Sequence, residues 1–106
     1  MENDPNGRRV HQRYPCDFAV TLVVNEADHA GKANNVSLGG MLIDGISNFP
    51  YGTKGTLRFQ LPALKEETEV AVTVRWVTDA GMGVQFGSLR ALEVWGLNEL
   101  FKSIKG

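Results

Sequence analysis

Three arginines, Arg8, Arg9 and Arg13, stand within six residues in the stretch RRVHQRYP, in a chain whose formal net charge is only −1. A guanidinium is a planar fork of donors that engages phosphate oxygens, or the O6 and N7 edge of guanine, bidentately. Arg9 and Arg13 are four residues apart, which brings their forks to one side in a helix or an extended segment, with Arg8 beside them. Like charges at that spacing repel in a helix and Pro15 follows at once, so the segment reads as an irregular arm. Such an arm suits a nucleotide or a phosphate; the plainer alternative is a solvated basic tail.

A second group lies in NNVSLGG at positions 34–40. Asn35 and Ser37, two apart on a strand, share a face, and Gly39 and Gly40 let a ligand approach the backbone at the strand end. The competing reading is an ordinary hairpin turn in which the glycines supply unusual backbone angles. Trp76 continues an apolar strand face, which favours a place in the core or at its rim over ligand contact, while Arg75 points to solvent.

Other chemistries find little material. Cys16 is the only cysteine, which excludes an internal disulfide and a multi-cysteine zinc site. Pro15 separates it from His11 with no third orienting group, and His29 falls in a turn, so neither an enzyme nor a metal site or cofactor is expected. A net charge near zero argues against a broad grip on long nucleic acid, so the anion met by the arm is small.

The elements that must position these residues follow from periodicity. A chain of 106 residues holds one domain with a modest core. The longest apolar run, FAVTLVV, is far short of the roughly 20 residues of a membrane-spanning helix. The opening MENDPNG is not a secretory signal, so a cytoplasmic location is expected. Alternation predicts strands at 17–25, 32–37, 39–45, 56–62, 67–79 and 81–87, with a turn in EADHAG and a loop in ISNFPYGTKG. In the fifth, Val70, Val72, Val74 and Trp76 share one face. From about 88 to 104 the period becomes helical, with Ser88 as N-cap and Leu89, Leu92, Leu97, Leu100, Phe101 and Ile104 on one side, Trp95 off it. Gly96 costs that helix about 1 kcal/mol, so docking must hold it. The fold expected is mainly β: a six-stranded antiparallel barrel over 14–106 with a C-terminal helix, preceded by a flexible arm over 1–13.

An RxxxR segment (RVHQR, Arg9 to Arg13), a strand, and then NxSxxG (NVSLGG, with Asn35, Ser37 and Gly40) resemble the PilZ domain, which receives the bacterial second messenger cyclic di-GMP. VTVRWV followed by GMGVQF, and the last helix, extend the resemblance from Arg8 to about Lys102. It implies a PilZ-type barrel whose arm folds over the cyclic dinucleotide. Arg8, Arg9, Arg13, Asn35, Ser37, Gly39, Gly40 and Trp76 then form the ligand-binding set, with Asn35 toward the guanine donors. Many relatives carry aspartate in place of Asn35, which has one acceptor oxygen. Arg8 would meet a second, stacked ligand, giving two cyclic di-GMP molecules per chain. The resemblance further implies that ligand binding would order the arm and change the surface shown to a protein partner, regulating motility, adhesion, biofilm or exopolysaccharide production. The chain itself would be a monomer or weak homodimer. Two rivals remain: a nucleotide-independent PilZ-like adaptor, and a single-stranded nucleic-acid barrel, which needs exposed aromatic platforms.

Overall fold

In the computed structural model, which describes residues 12–105, the chain forms seven strands and one helix. In chain order these are β1 (Tyr14–Pro15), β2 (Ala19–Val24), β3 (Ala27–Val36), β4 (Gly40–Asp44), β5 (Lys54–Phe59), β6 (Thr68–Val77), β7 (Gly81–Phe86) and α1 (Ala91–Lys105). Every pairing is antiparallel, and β3–β2–β5–β6–β7–β4 returns to β3 to close a six-stranded barrel. The seventh strand, β1, is a short extra piece paired with the end of β3. Closure removes the sheet edges that would otherwise invite pairing with another chain.

Inside the barrel the alternating residues expected from the sequence meet: Val20, Leu22 and Val24 of β2, Leu57 and Phe59 of β5, and Val70, Val72 and Val74 of β6 are all buried. Phe59 lies at the centre, its ring centroid 5.9 Å from Phe18 and 6.4 Å from Phe86. The first turn is tighter than EADHAG suggested. Asn25 and Glu26, with φ of 52° and 67°, form a two-residue connection between β2 and β3. Left-handed residues at both positions match the twist of the flanking strands, so pairing starts at once and Ala27–Val36 becomes one long strand. His29 therefore sits in a strand, its ring edge-on to Phe49 at 4.9 Å.

The helix also differs in detail. Its cap is Arg90: Val94 N–H donates to the Arg90 carbonyl, and Arg90 N–H donates to Glu93 Oε1 at 2.9 Å. Glu93, at the third helical position, thus supplies the carboxylate half of a capping box, and Ser88 lies too early to be the cap. The same carboxylate takes the Arg90 guanidinium through Oε2 at 2.8 Å, so a carboxylate only 3% exposed is fully engaged. Leu97, Leu100 and Phe101 are buried, whereas Leu92 is 56% exposed and does not belong to the docked face. Gly96 is a packing position, since a Cβ there would stand 3.0 Å from Leu64 and 3.1 Å from Leu61. Its propensity cost is offset by the close approach of the helix to the 61–64 segment.

The packing can be tested at two residues. Phe59→Ala should destabilise the domain by roughly 3–5 kcal/mol in denaturant melts, because a ring at the centre of the core leaves a cavity that strands on all sides cannot close. The Cys16 thiol, raised from 9.0 to about 11 by burial and secondarily by Asp17, holds its proton in the folded protein. At pH 8 it should react with a disulfide reagent about 100-fold more slowly than in the denatured chain, in proportion to thiolate content. Its contribution to stability is complete below pH 9.0 and lost as pH rises toward about 11, which pH-dependent melts would register.

Candidate functional site

Arg13 precedes β1, and β1 runs along the end of β3 with Tyr14 opposite Val36 and Pro15 opposite Asn35. Tyr14 anchors this junction: its ring stacks on Phe101 of α1 with centroids 4.2 Å apart and planes 9° from parallel. Held there, the exposed Arg13 side chain donates from Nη1 to Asn35 Oδ1 at 3.0 Å, across twenty-two residues of sequence. The last arginine of the basic segment and the first residue of the NxSxxG segment therefore share one patch. Arg8, Arg9 and His11 lie outside the described residues.

The turn after β3 is occupied with its own integrity. Ser37 is buried, and its Oγ accepts from the backbone N–H groups of Gly39 at 3.0 Å and Gly40 at 3.2 Å. Ser37 N–H donates to the Gly40 carbonyl at 2.9 Å, and Phe86 N–H to the Gly39 carbonyl at 2.9 Å. The hydroxyl proton of Ser37 is left to donate, but its acceptor capacity and the two glycine N–H groups are spent inside the turn. A Cβ on Gly40 would collide with the Val84 carbonyl, so this glycine is required by the packing of β4 on β7. The close backbone approach that the glycines permit is, at Gly40, an approach by the protein itself.

Two irregularities set the outer surface. The β3–β4 register slips between Ala33 and Asn35, and the β6–β7 register between Val74 and Trp76. Each slip inserts one residue, Asn34 or Arg75, and a bulge of this kind re-aims the side chains beyond it. Strict alternation from Ala33 would turn Asn35 inward; instead Val36 is fully buried and Asn35 faces out. Alternation from Val74 would likewise bury Trp76, yet Trp76 is 42% exposed. This overturns the shared face expected for Val70, Val72, Val74 and Trp76.

Register then aligns the two. Asn35 pairs with Leu42, Leu42 with Gly83, and Gly83 with Trp76. Directly opposed residues share a face, so Asn35, Leu42 and Trp76 form one outward row spanning about 14–15 Å over three strand spacings, and the Arg13 side chain reaches its Asn35 end. The Trp76 ring covers Gly83, where an added Cβ would stand 2.5 Å from Trp76 Cε2. Arg75 leans the other way, with its guanidinium carbon 5.5 Å from the centre of the Tyr51 ring. A cleft of about 380 Å³ lined by Leu64, Thr68, Arg90, Leu92 and Trp95 lies apart from this row.

Sequence reasoning passed over two neighbours of this row. Asn34 Nδ2 donates to Asp44 Oδ2 at 3.1 Å, and Asn35 Nδ2 to Asn34 Oδ1 at 3.4 Å. The only cue was the doubled asparagine in NNVS, and the bulge that makes both residues face outward has no signature there. Among the described residues no three of His, Cys, Asp and Glu gather as metal ligands, and no helix is long and apolar enough to cross a membrane.

Comparison with solved structures places the architecture. The Bacillus subtilis inhibitor of motility MotI/DgrA superposes with a TM-score of 0.77 at 18% identity, over 92% of this chain and 51% of that one. This chain thus spans about half the length of that protein. The PilZ domain of YcgR from Escherichia coli, solved with cyclic di-GMP, matches with a TM-score of 0.73 at 10% identity over 92% of both chains. The PilZ domain of CeSA from a cellulose-synthesizing bacterium gives 0.68 at 13% identity, covering 90% of this chain and 99% of that one. No curated protein sequence matches significantly. The sequence model of the PilZ domain matches residues 7–100, and with the six-stranded barrel, its extra strand and the closing helix this establishes that the chain belongs to the PilZ domain family.

Proposed function

We propose that this chain is a receptor for cyclic di-GMP that acts by binding rather than by catalysis. The observation that carries the reading is the 3.0 Å contact between Arg13 and Asn35, because it joins an arginine fork and an outward acceptor from two distant segments on one outer face. Family membership and the cyclic di-GMP held by the structurally similar YcgR domain support it. In this reading Arg13 leaves Asn35 for a guanine edge or phosphate, and Asn35 Oδ1 accepts from the guanine N–H donors. Ser37, Gly39 and Gly40 act by holding the corner, with the Ser37 hydroxyl proton directed to the ligand. Leu42, beside Asn35, and Trp76, at the far end of the row, offer an apolar floor on which a purine stacks. Arg8 and Arg9 complete the arm, Arg8 meeting the second of two stacked ligands.

The output follows from a change of surface. An arm ordered by a dianion, together with the ligand, presents a face that a partner protein reads, and the MotI/DgrA likeness favours motility among the family's outputs. Exposed Leu92 and Trp95, 56% and 49% accessible, form a separate apolar step on α1 that favours protein contact as the role of the helix. That step is the specific support for the second reading, a nucleotide-independent adaptor.

Calorimetry with cyclic di-GMP, GTP and a short oligonucleotide separates the readings: saturable micromolar uptake of the cyclic dinucleotide alone is expected, at two molecules per chain. Uptake of none of the three favours the adaptor, and saturation at one per chain removes the role given to Arg8. Arg13→Ala should weaken binding roughly 5- to 150-fold, the worth of one good arginine fork. Ser37→Ala should weaken it as well while the chain stays folded, by leaving the Gly39 and Gly40 N–H groups without their acceptor. In a Trp95→Phe background the remaining fluorescence comes from Trp76, and ligand should quench it; unchanged emission at saturation would remove Trp76 from the site.

A further inference from the structure

Arg13, Asn35, Asn34 and Asp44 form a chain of hydrogen bonds in which every amide points the same way. Arg13 Nη1 donates to Asn35 Oδ1 at 3.0 Å, Asn35 Nδ2 to Asn34 Oδ1 at 3.4 Å, and Asn34 Nδ2 to Asp44 Oδ2 at 3.1 Å. The two ends dictate this polarity. A guanidinium only donates and a carboxylate only accepts, so the intervening carboxamides, whose oxygen and nitrogen ends are nearly the same shape, have one arrangement that satisfies both. Lys32 stands directly across from Asp44 in the β3–β4 register, a cross-strand partner of opposite charge for the carboxylate.

The two ends cease to be equivalent once Arg13 turns to a ligand. The donor-only end is then gone, and what keeps Asn35 from rotating by half a turn and presenting its NH₂ group is the acceptor-only end. We infer that Asp44 is a positioning residue for the binding site: acting through Asn34, it holds the Asn35 oxygen outward and so makes the site select a base edge that donates. This deepens, and rests on, the cyclic di-GMP reading. Guanine presents N–H donors at its base-pairing edge, whereas adenine presents a ring nitrogen acceptor beside its amino group. Polarity at Asn35 therefore bears on which purine is accepted, not only on how tightly. The relay also gives the doubled asparagine a purpose. The bulge at Asn34 puts two consecutive side chains on the outer face, and only neighbours so placed can pass an orientation from β4 to the arm.

The test is a mutant cycle read by calorimetry on the whole chain with cyclic di-GMP and cyclic di-AMP, paired with side-chain amide NMR of the ligand-free protein. Asp44→Asn is isosteric and preserves the fold, but can donate toward Asn34. It should weaken cyclic di-GMP binding roughly five- to tenfold, the worth of one hydrogen bond to an outward acceptor, and narrow the preference over cyclic di-AMP. Asn35→Asp carries acceptors on both oxygens and needs no orientation, so in that background Asp44→Asn should leave affinity unchanged or raise it by relieving two carboxylates competing for one Asn34 amide. An equal loss in both backgrounds would overturn the inference, because it would mean that Asp44 acts on the barrel and not through the amides. Without ligand, Asp44→Asn should shift the side-chain NH₂ resonances of both Asn34 and Asn35. A stationary Asn35 signal would overturn the relay, whatever the ligand. Failure of the unmutated chain to take up cyclic di-GMP would sink the receptor reading, and the ligand-free spectra would still decide the relay.

Discussion

A β-strand turns successive side chains to opposite faces, and in a closed barrel one of those faces is the core. Outward display of a polar residue next to a buried one is therefore governed by parity, and the candidate surface here depends on breaking parity twice. The bulge at Asn34 releases Asn35 from the inward direction that Ala33 would impose, and the bulge at Arg75 does the same for Trp76 after Val74. Without these two insertions an asparagine and a tryptophan would point into a core built from Leu22, Ile43, Leu57 and Phe59. With them, the two residues lie at opposite ends of one row.

What lies between them is shaped by the same constraint. Gly83 occupies the step of the row beside Trp76 and lacks the Cβ that the indole would strike, so the ring lies flat across β7. Gly40 and Ser37 fix the corner where β3 gives way to β4, one by allowing backbone contact with Val84 and the other by taking two backbone N–H groups. Tyr14 ties the base of the arm to Phe101. Arg13 is thus carried on a segment whose position is set by aromatic packing against α1, and a charged side chain reaches the row without any burial of its own charge.

Much of this was legible beforehand. The alternating valines of β6, the apolar faces of β2 and β5, and the change to helical period near the C-terminus placed six strands and a helix close to their observed bounds, except that β3 begins at Ala27, five residues before the expected start, and the two-residue β1 was not foreseen. The spaced arginine and asparagine-serine-glycine segments led to the same family that the domain model matches over 7–100. Less visible were the turn at Asn25 and Glu26, which a polar run concealed, and the cap, where Glu93 reaches back to Arg90 and leaves Ser88 outside the helix. Asn34 and Asp44 were passed over because their pairing crosses from β3 to β4 at a point fixed by register.

By itself, then, the sequence determined the period of each segment and the chemistry each side chain carries, because both are local: apolar residues two apart make a strand face, and an arginine is a donor fork wherever it stands. Only the tertiary structure decided which of those side chains meet. Barrel closure set the register, two inserted residues reversed parity at Asn35 and Trp76, and an orientation could pass from Asp44 to Asn35 only after β4 had been laid beside β3. These are properties of pairs of strands, and no single stretch of residues contains them.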